Sequence, residues 1–516
     1  MPQPSRSRAP GTPASDVRWR RWHLAVGVEL ILGAVLCVIL LGAHSLWLDE
    51  SVSATLATVP WHQFATVVAH REPNMGLYYL LLRVWVVFGH GETALRSFSV
   101  LAEVAGLGVV IMLARDLFGQ RAALVCGVLL AVDPLVVEFA QDVRGYALCL
   151  LLVSASSLLF VRGIQKPDSR PWLTWAGYTL VSVAGAYTNF WAVLVPLSHA
   201  LSLGFLPRRR IPVRRLVPVA GAMCILLVPL ALLIRATDSA GVNWAAGSSA
   251  GHLITRIRST VPHPVLDAGA VLVVVVLVVA IILARRRPAA MAVLDAQWAW
   301  LFAVSWLVVP LGAVIVLSLT YKPLLVIRYL MVCVPPAALL LGALVARAAG
   351  RQQQSGRFRP LAGVVLAGML AVSLLGTIWW YRSSGPQDWR DTVAYVGDQS
   401  RPGDGVIFVA PYVRIPFEWY VVQHPEWSAN VRPVYPSLGW GKNPLRFDSN
   451  VTLGEGAVAQ AARSYSRVWL VLCDQQFAPQ QYRAVTAALR HDGFRTTRTR
   501  SFKGVVVVEE TRLGTA

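Results

Sequence analysis

Apolar runs of about 20 residues, each long enough to cross a bilayer as a helix, recur through the first three quarters of this 516-residue chain. In hydrocarbon a backbone must satisfy its own N–H and C=O groups, so repeated runs of this length call for a bundle of membrane helices. Composition agrees: 55% of residues are hydrophobic and only 14% charged. A disordered, collagen-like or small disulfide-stapled protein is excluded on the same grounds.

The net charge of +20 invites a nucleic-acid reading, so its placement matters. Residues 1–385 carry 32 Lys+Arg against 15 Asp+Glu, whereas residues 386–516 carry 15 against 12. Most of the excess falls in short polar gaps: Arg6 to Arg21, Arg115 and Arg121, Arg162 to Arg170, Arg208 to Arg215, Arg285 to Arg287, and Arg347 to Arg359. Such clusters mark cytoplasmic loops, so the partner implied is the inner lipid leaflet and not nucleic acid. Of the six cysteines, five lie inside apolar runs, and only Cys473 falls in the polar C-terminal region. Their spacing provides neither a metal site nor a disulfide framework. The basic N-terminal tail precedes an apolar run with no clear cleavage site, which reads as a retained first helix.

With the basic clusters as inside markers, eleven spans are expected near 22–43, 92–114, 120–139, 146–162, 172–189, 191–206, 216–235, 264–284, 297–319, 329–347 and 360–380. The chain then divides into a cytoplasmic tail (1–21), a membrane domain (22–382) with a long first external loop (44–91), and an extracytoplasmic domain (383–516). Met75 to Phe88 is too short to cross and is laid in the outer interface. From Gln387 onward the pattern becomes alternating short helices and strands, among them DGVIFVAP, SRVWLVLCD and GVVVVEET, which read as a compact α/β domain. It lacks a phosphate loop or metal motif. Its expected role is a lid that receives the acceptor, touching the first loop through Pro411–Tyr420 or Tyr435–Trp440, with a stabilising cap as the alternative.

The chemistry concentrates just outside the first span, where HSLWLDESVSA places Asp49 and Glu50 together. A carboxylate there can take a proton from an acceptor hydroxyl, orient it, or hold a divalent cation that neutralises a leaving phosphate. The competing explanation is an Asp that caps the following helix. A second external turn, Gln141 to Tyr146, offers Asp142 beside Arg144, either as site residues or as a surface pair of little energetic consequence. Arg328 and Tyr329 open a late span, where a guanidinium either grips phosphate bidentately or anchors the helix at the interface. Asp133 and Glu138 would border the site. Glu29 and Glu103, deeper, are expected to make hydrogen bonds between helices. Trp47, Trp61, Trp244, Tyr78 and Tyr79 are candidates for stacking on sugar rings or for an interfacial belt.

The ordered set LWLDE, NMGLYYLLLRVW, ARDLFGQR, QDVRGYAL and RYL, over residues 20–400, resembles the GT-C glycosyltransferases, nearest to family 39 with its protein O-mannosyltransferases and aminoarabinose transferases. The resemblance implies a polytopic α-helical enzyme of the cytoplasmic membrane with its site on the outer face. It would use a polyprenyl phosphate sugar donor, a lipid-linked, glycan or protein acceptor, and inversion without a covalent intermediate. It further implies Asp49 as base, Glu50 as its partner for a metal or for acceptor orientation, and a site role for Asp142 or Arg144. Donor phosphate would be held by Arg328, Arg144 and Lys322, and substrate by Asn74, Tyr78, Tyr79, Tyr329 and Trp244. The chain departs from the family where many members have His-Pro-Pro before Leu-Tyr-Tyr, since here stand Asn74, Met75 and Gly76; that function passes to Asn74, Glu72 or His70, or is absent. A divalent cation at Asp49 and Glu50 is the one candidate cofactor. Forty-three Arg against 4 Lys point to a high-GC bacterium, hence mannose as the first sugar and arabinofuranose next. The rival is a transporter or flippase of lipid-linked sugars; no repeated halves or matched broken helices favour it.

Overall fold

The computed structural model describes residues 13–165, 170–237, 291–320, 324–355, 359–383, 385–428, 430–437, 439, 455–473 and 479–513. The first long helix, α1 (Pro13–Val38), leads into a loop containing α2 (Leu48–Thr58), α3 (Trp61–His70) and α4 (Gly76–Trp85). Next come α5 (Glu92–Phe118), α6 (Gln120–Ala131), α7 (Pro134–Ala140), α8 (Tyr146–Gln165), α9 (Pro171–Thr188), α10 (Leu194–Ser202) and α11 (Val213–Ala236). After the undescribed stretch come α12 (Met291–Thr320), α13 (Val334–Ser355) and α14 (Arg359–Arg382).

Seven described helices are long and apolar enough to cross a membrane, or eight if α6 and α7 form one bent span. Eleven is therefore not reached among the described residues. The expected span 264–284 lies outside them, 172–189 is α9 but is not one of the seven, and 191–206 is a short apolar helix, Phe190–Phe205. The bend between α6 and α7 is 59° and has a local cause. Pro134 has no N–H to continue the ladder, and the Asp133 carboxylate accepts instead from Leu135 and Val136 N at 2.9 and 3.3 Å. Asp133 is thus a helix cap. Gly119 makes the tight turn from α5 to α6 at φ +88°, a conformation that costs other residues a clash at Cβ.

Helix α5 is the centre of the bundle, packed against α1, α6 and α8. By contrast α1 and α11 expose Leu24, Ile31, Val217 and Ile225, as lipid-facing helices should. Glu29 Oε2 and both carboxylate oxygens of Glu103 are buried without a hydrogen-bond partner among the described residues. Those three oxygens make none of the interhelical bonds expected of the two residues.

The C-terminal region folds as the sequence predicts, around a five-stranded sheet ordered β2-β1-β3-β5-β4. Its strands are β1 (Asp404–Phe408), β2 (Val431–Tyr435), β3 (Arg467–Cys473), β4 (Phe494–Phe502) and β5 (Val505–Arg512). β2, β1 and β3 are parallel, while β5 and β4 run antiparallel. The unbroken apolar run of β3 reflects burial on both faces. Val468, Leu470 and Leu472 pack with α18 (Glu455–Ala462) and α19 (Pro479–His491) through Val458, Val485 and Leu489. Trp469 and Val471 face α15 (Trp389–Gln399) and α16 (Arg414–Val422), in one hydrophobic cluster that continues into Leu46, Ala54 and Leu56 of the first loop. A short helix, α17 (Pro425–Ser428), follows α16. The aromatic and Pro-rich stretch 411–420, expected to touch the first loop, is mostly α16, and it packs on α2. Pro416 is tolerated because it stands in the first turn, where its missing N–H has no acceptor to serve.

Candidate active site

Asp49 and Glu50 lie in the first turn of α2, where the free amides and the positive end of the helix dipole favour carboxylates. The N-cap is Trp47, so Asp49 does not cap; Glu50 does, accepting from Trp47 N at 3.2 Å. Adjacent helical positions point about 100° apart, and the two carboxylates separate accordingly. Glu50 turns inward and is 1% exposed. Its Oε1 accepts from Arg96 Nε and Val143 N, both at 2.9 Å, and its Oε2 from Arg96 Nη2 at 2.8 Å. Asp49 turns toward the opening, its side chain 26% exposed, with Oδ2 accepting from Arg328 Nη1 at 2.9 Å and lying 3.9 Å from Arg144 Nη2.

These positions separate the two carboxylates: both oxygens of Glu50 are engaged by Arg96 and backbone amides in the interior, which leaves Asp49 as the one turned outward. Asp49 faces two guanidiniums, whose charge opposes a divalent cation at this carboxylate, and among the described residues no group of three His, Cys, Asp or Glu could hold a metal.

Arg144 and Asp142 are not a surface pair: both are 7% exposed, and Arg144 reaches Asp49. Arg144 Nη1 also donates to the Tyr79 hydroxyl (2.9 Å), which donates to Glu72 Oε2 at 3.1 Å. Glu72 therefore joins the site. Burial, followed by the nearby Asp49, raises its carboxyl pKa against the opposing pull of Arg144. Asp142 sits behind Trp47, whose indole Nε1 donates to it at 3.1 Å, and its backbone carbonyl accepts from Ser99 Oγ at 2.7 Å. Gly145 lets this turn close, since a Cβ there would lie 3.2 Å from both Thr188 and Tyr78.

Tyr78 and Tyr79 are fully buried, the former hydrogen-bonded to Ser99, so neither offers a ring face to a sugar. Asn74 spends its amide oxygen on Phe190 N at 3.0 Å. The expectation of direct substrate contact fails for Tyr78 and Tyr79, and Asn74 ties the first loop to the end of α9. Tyr329 is half-buried and tilted against Trp191 at 5.6 Å, and the Arg328 guanidinium lies 5.7 Å from the Tyr329 ring and 5.9 Å from Trp47. Lys322 and Trp244 lie outside the described residues. Arg96 and Trp191 escaped the sequence reading. Arg96 left one signal, a guanidinium inside an apolar span, which is costly unless used.

Burial, then the neighbouring Glu50, pushes the Asp142 carboxyl well above the usual carboxylate range, and Arg144, Trp47 and Arg96 offset only part of this. The native state thus holds this proton more tightly than the unfolded chain. The resulting stability is fully present below the unfolded value and is lost as pH rises through the folded one. Asp142→Asn, which still accepts from Trp47, should therefore flatten the fall in Tm as pH rises above the ordinary carboxylate range. Identical Tm profiles for the two proteins would refute the assignment.

The chain shares its fold with membrane enzymes of known structure. ArnT from Cupriavidus metallidurans in the apo state superposes with a TM-score of 0.59 at 16% identity, covering 96% of this chain and 98% of that one. The same protein bound to undecaprenyl phosphate gives 0.57 at 14% identity, with 94% and 97% covered. The archaeal oligosaccharyltransferase AglB from Archaeoglobus fulgidus, in complex with an inhibitory peptide and a dolichol-phosphate, gives 0.53 at 12%, covering 95% and 74%. A family model described as dolichyl-phosphate-mannose-protein mannosyltransferase matches residues 72–234. No curated protein matches the sequence. The chain thus shares the fold of these proteins, the GT-C architecture that the sequence resemblance implies. Over residues 72–234 the sequence is similar to that mannosyltransferase family, in keeping with the resemblance to family 39.

Proposed function

We propose that this protein transfers one sugar from a polyprenyl phosphate carrier to an acceptor hydroxyl at the outer face of the cytoplasmic membrane, with inversion. The observation that carries the reading is Asp49, a partly exposed carboxylate held by Arg328 and flanked by Arg144 at the rim of the helical bundle. In the reaction Asp49 accepts the acceptor's hydroxyl proton while the oxygen attacks the anomeric carbon. The bond from that carbon to the phosphate oxygen breaks, and its electron pair leaves with polyprenyl phosphate. Arg328 would exchange Asp49 for the phosphate, a planar fork meeting a tetrahedral anion. Inversion follows from a single displacement, since the other nearby carboxylates, Glu50, Glu72 and Asp142, are hydrogen-bonded within the protein and do not supply a nucleophile.

Connectivity supports the outward placement of the site. Helices α5 and α8 begin at the site end, beside Arg96 and Tyr146, and finish near Arg115 and Arg162, within the basic clusters. Such clusters stay on the cytoplasmic side. For the sugar we favour mannose, then arabinofuranose, and for the acceptor a lipid-linked, glycan or protein hydroxyl.

Turnover by purified protein in detergent, with radiolabelled polyprenyl phosphomannose and the arabinofuranosyl analogue in parallel, tests the reading directly. Release of labelled product from either supports it, and no turnover of any polyprenyl-linked sugar rejects it. In the same assay Arg328→Ala should raise the donor Kd by the loss of a charge-assisted bond, about 1.5–3 kcal/mol, with Lys restoring only part. An equal loss of acceptor affinity would mean that Arg328 only anchors its helix.

A further inference from the structure

The segment that delivers Asp49, residues 44–47, has no regular secondary structure, so its backbone groups must find partners elsewhere. Some come from inside the membrane domain. Arg96 Nη1 donates to the carbonyls of Leu41 and His44 at 2.9 and 2.8 Å, and Nη2 to that of Ser45 at 3.3 Å. The others come from more than 330 positions away in the chain. Leu46 N donates to the Tyr420 hydroxyl at 2.7 Å, and Leu48 N to Gln387 Oε1 at 2.9 Å. Ser45 Oγ donates to the Gln387 carbonyl at 2.8 Å and accepts from Trp389 N at 3.0 Å. His44 Nε2 donates to the Ser383 carbonyl at 2.8 Å, and Arg390 Nη2 to that of Gly42 at 3.0 Å.

Leu48 is the first residue of α2, and its amide is one of the helix-start donors with no partner inside the helix. Gln387 supplies that partner one residue before Asp49. The Gln387 side chain is itself fixed, its Oε1 accepting also from Trp389 Nε1 at 2.8 Å and its Nε2 donating to Cys473 Sγ at 3.0 Å. Cys473 ends the central strand β3, so the position of the α2 start is referred directly to the sheet. Tyr420 is equally constrained, donating to Glu92 Oε1 at 2.6 Å while Arg390 pairs with the same carboxylate.

We infer that the C-terminal domain is a positioning element of the reaction: through Gln387 and Tyr420 it fixes residues 46–48 and so aims the Asp49 carboxylate. This rests on the transferase reading given above. It also differs in outcome from an acceptor lid. A lid would affect only transfer, whereas a misaimed base and a loosened Arg328 partner impair every reaction of the bound donor, including its slow hydrolysis by water.

The test uses full-length Gln387→Leu and Tyr420→Phe, with Gln387→Glu as the conservative variant and Thr497→Ala on the remote strand β4 as control. Kinetics of transfer and of donor hydrolysis are read beside hydrogen exchange over residues 45–53. Misplacement of a catalytic group by a fraction of an ångström predicts a fall in kcat of about 10- to 100-fold in both reactions, with donor KM within about twofold. Exchange over 45–53 should accelerate in the Leu and Phe variants and stay slow in Gln387→Glu, whose carboxylate still accepts from Leu48 N. Lost transfer with intact hydrolysis, or unchanged exchange at wild-type rates, overturns the proposal. If the wild-type protein turns over no polyprenyl-linked sugar, the transferase reading fails, and the exchange experiment still decides whether the domain clamps this segment.

Discussion

Asp49→Asn should lower kcat for sugar transfer by about 10²- to 10⁴-fold, the contribution of a positioned general base, while leaving the protein folded and able to bind donor. The amide keeps the shape of the carboxylate, and its oxygen still accepts from Arg328 across the 2.9 Å contact. What it loses is the capacity to take the acceptor's proton. A fall in kcat without a rise in donor KM identifies an interaction made in the transition state alone. Near-normal turnover by Asp49→Asn would remove Asp49 as the base. Glu50→Gln would not inherit the role, because Glu50 faces Arg96 and not the opening.

The second large effect falls on stability. Arg96→Met should destabilise the protein by about 3–5 kcal/mol, the penalty for leaving a buried carboxylate without its partner. Arg96 and Glu50 have side-chain exposures of 3% and 2%, so neither charge reaches water once the pair is broken. The carbonyls of Leu41, His44 and Ser45 also lose a donor, His44 keeping only the 3.4 Å contact from Arg390 Nη2. Thermal melting in detergent gives the measurement. The double variant Arg96→Met, Glu50→Gln should regain part of the loss, since no unpaired charge then remains buried. Additive losses in the double variant would contradict the pairing.

The two carboxylates of LWLDE illustrate the boundary between pattern and structure. Their position beyond the first apolar run marks the loop as a place of chemistry, because charges at the membrane surface are costly to bury without use. Which of the two works was not legible. The answer depends on a rotation of about 100° along α2 and on Arg96, 46 residues further on, which claims one carboxylate for the core. Tyr78 and Tyr79 have the composition of a sugar platform, but the packing of α4 against α2 and α9 buries both rings. Glu72 enters the site only because Tyr79 and Arg144 converge on it from different segments.

The same division holds for the architecture. Apolar run length and Arg clustering depend on the chain and its solvent alone, and they determined a multi-helix membrane protein with a terminal α/β domain. The unbroken apolar run of SRVWLVLCD and its flanking helices likewise determined a sheet buried on both faces, since the apolar positions require cover wherever the domain sits. Tertiary structure alone decided that α5 is the core helix, that α6 and α7 bend by 59°, and that α16 closes on α2. It also decided that Gln387 answers the amide of Leu48. A hydrogen bond between residues so far apart leaves no periodicity or spacing in the sequence, because its geometry exists only once helices and sheet have packed.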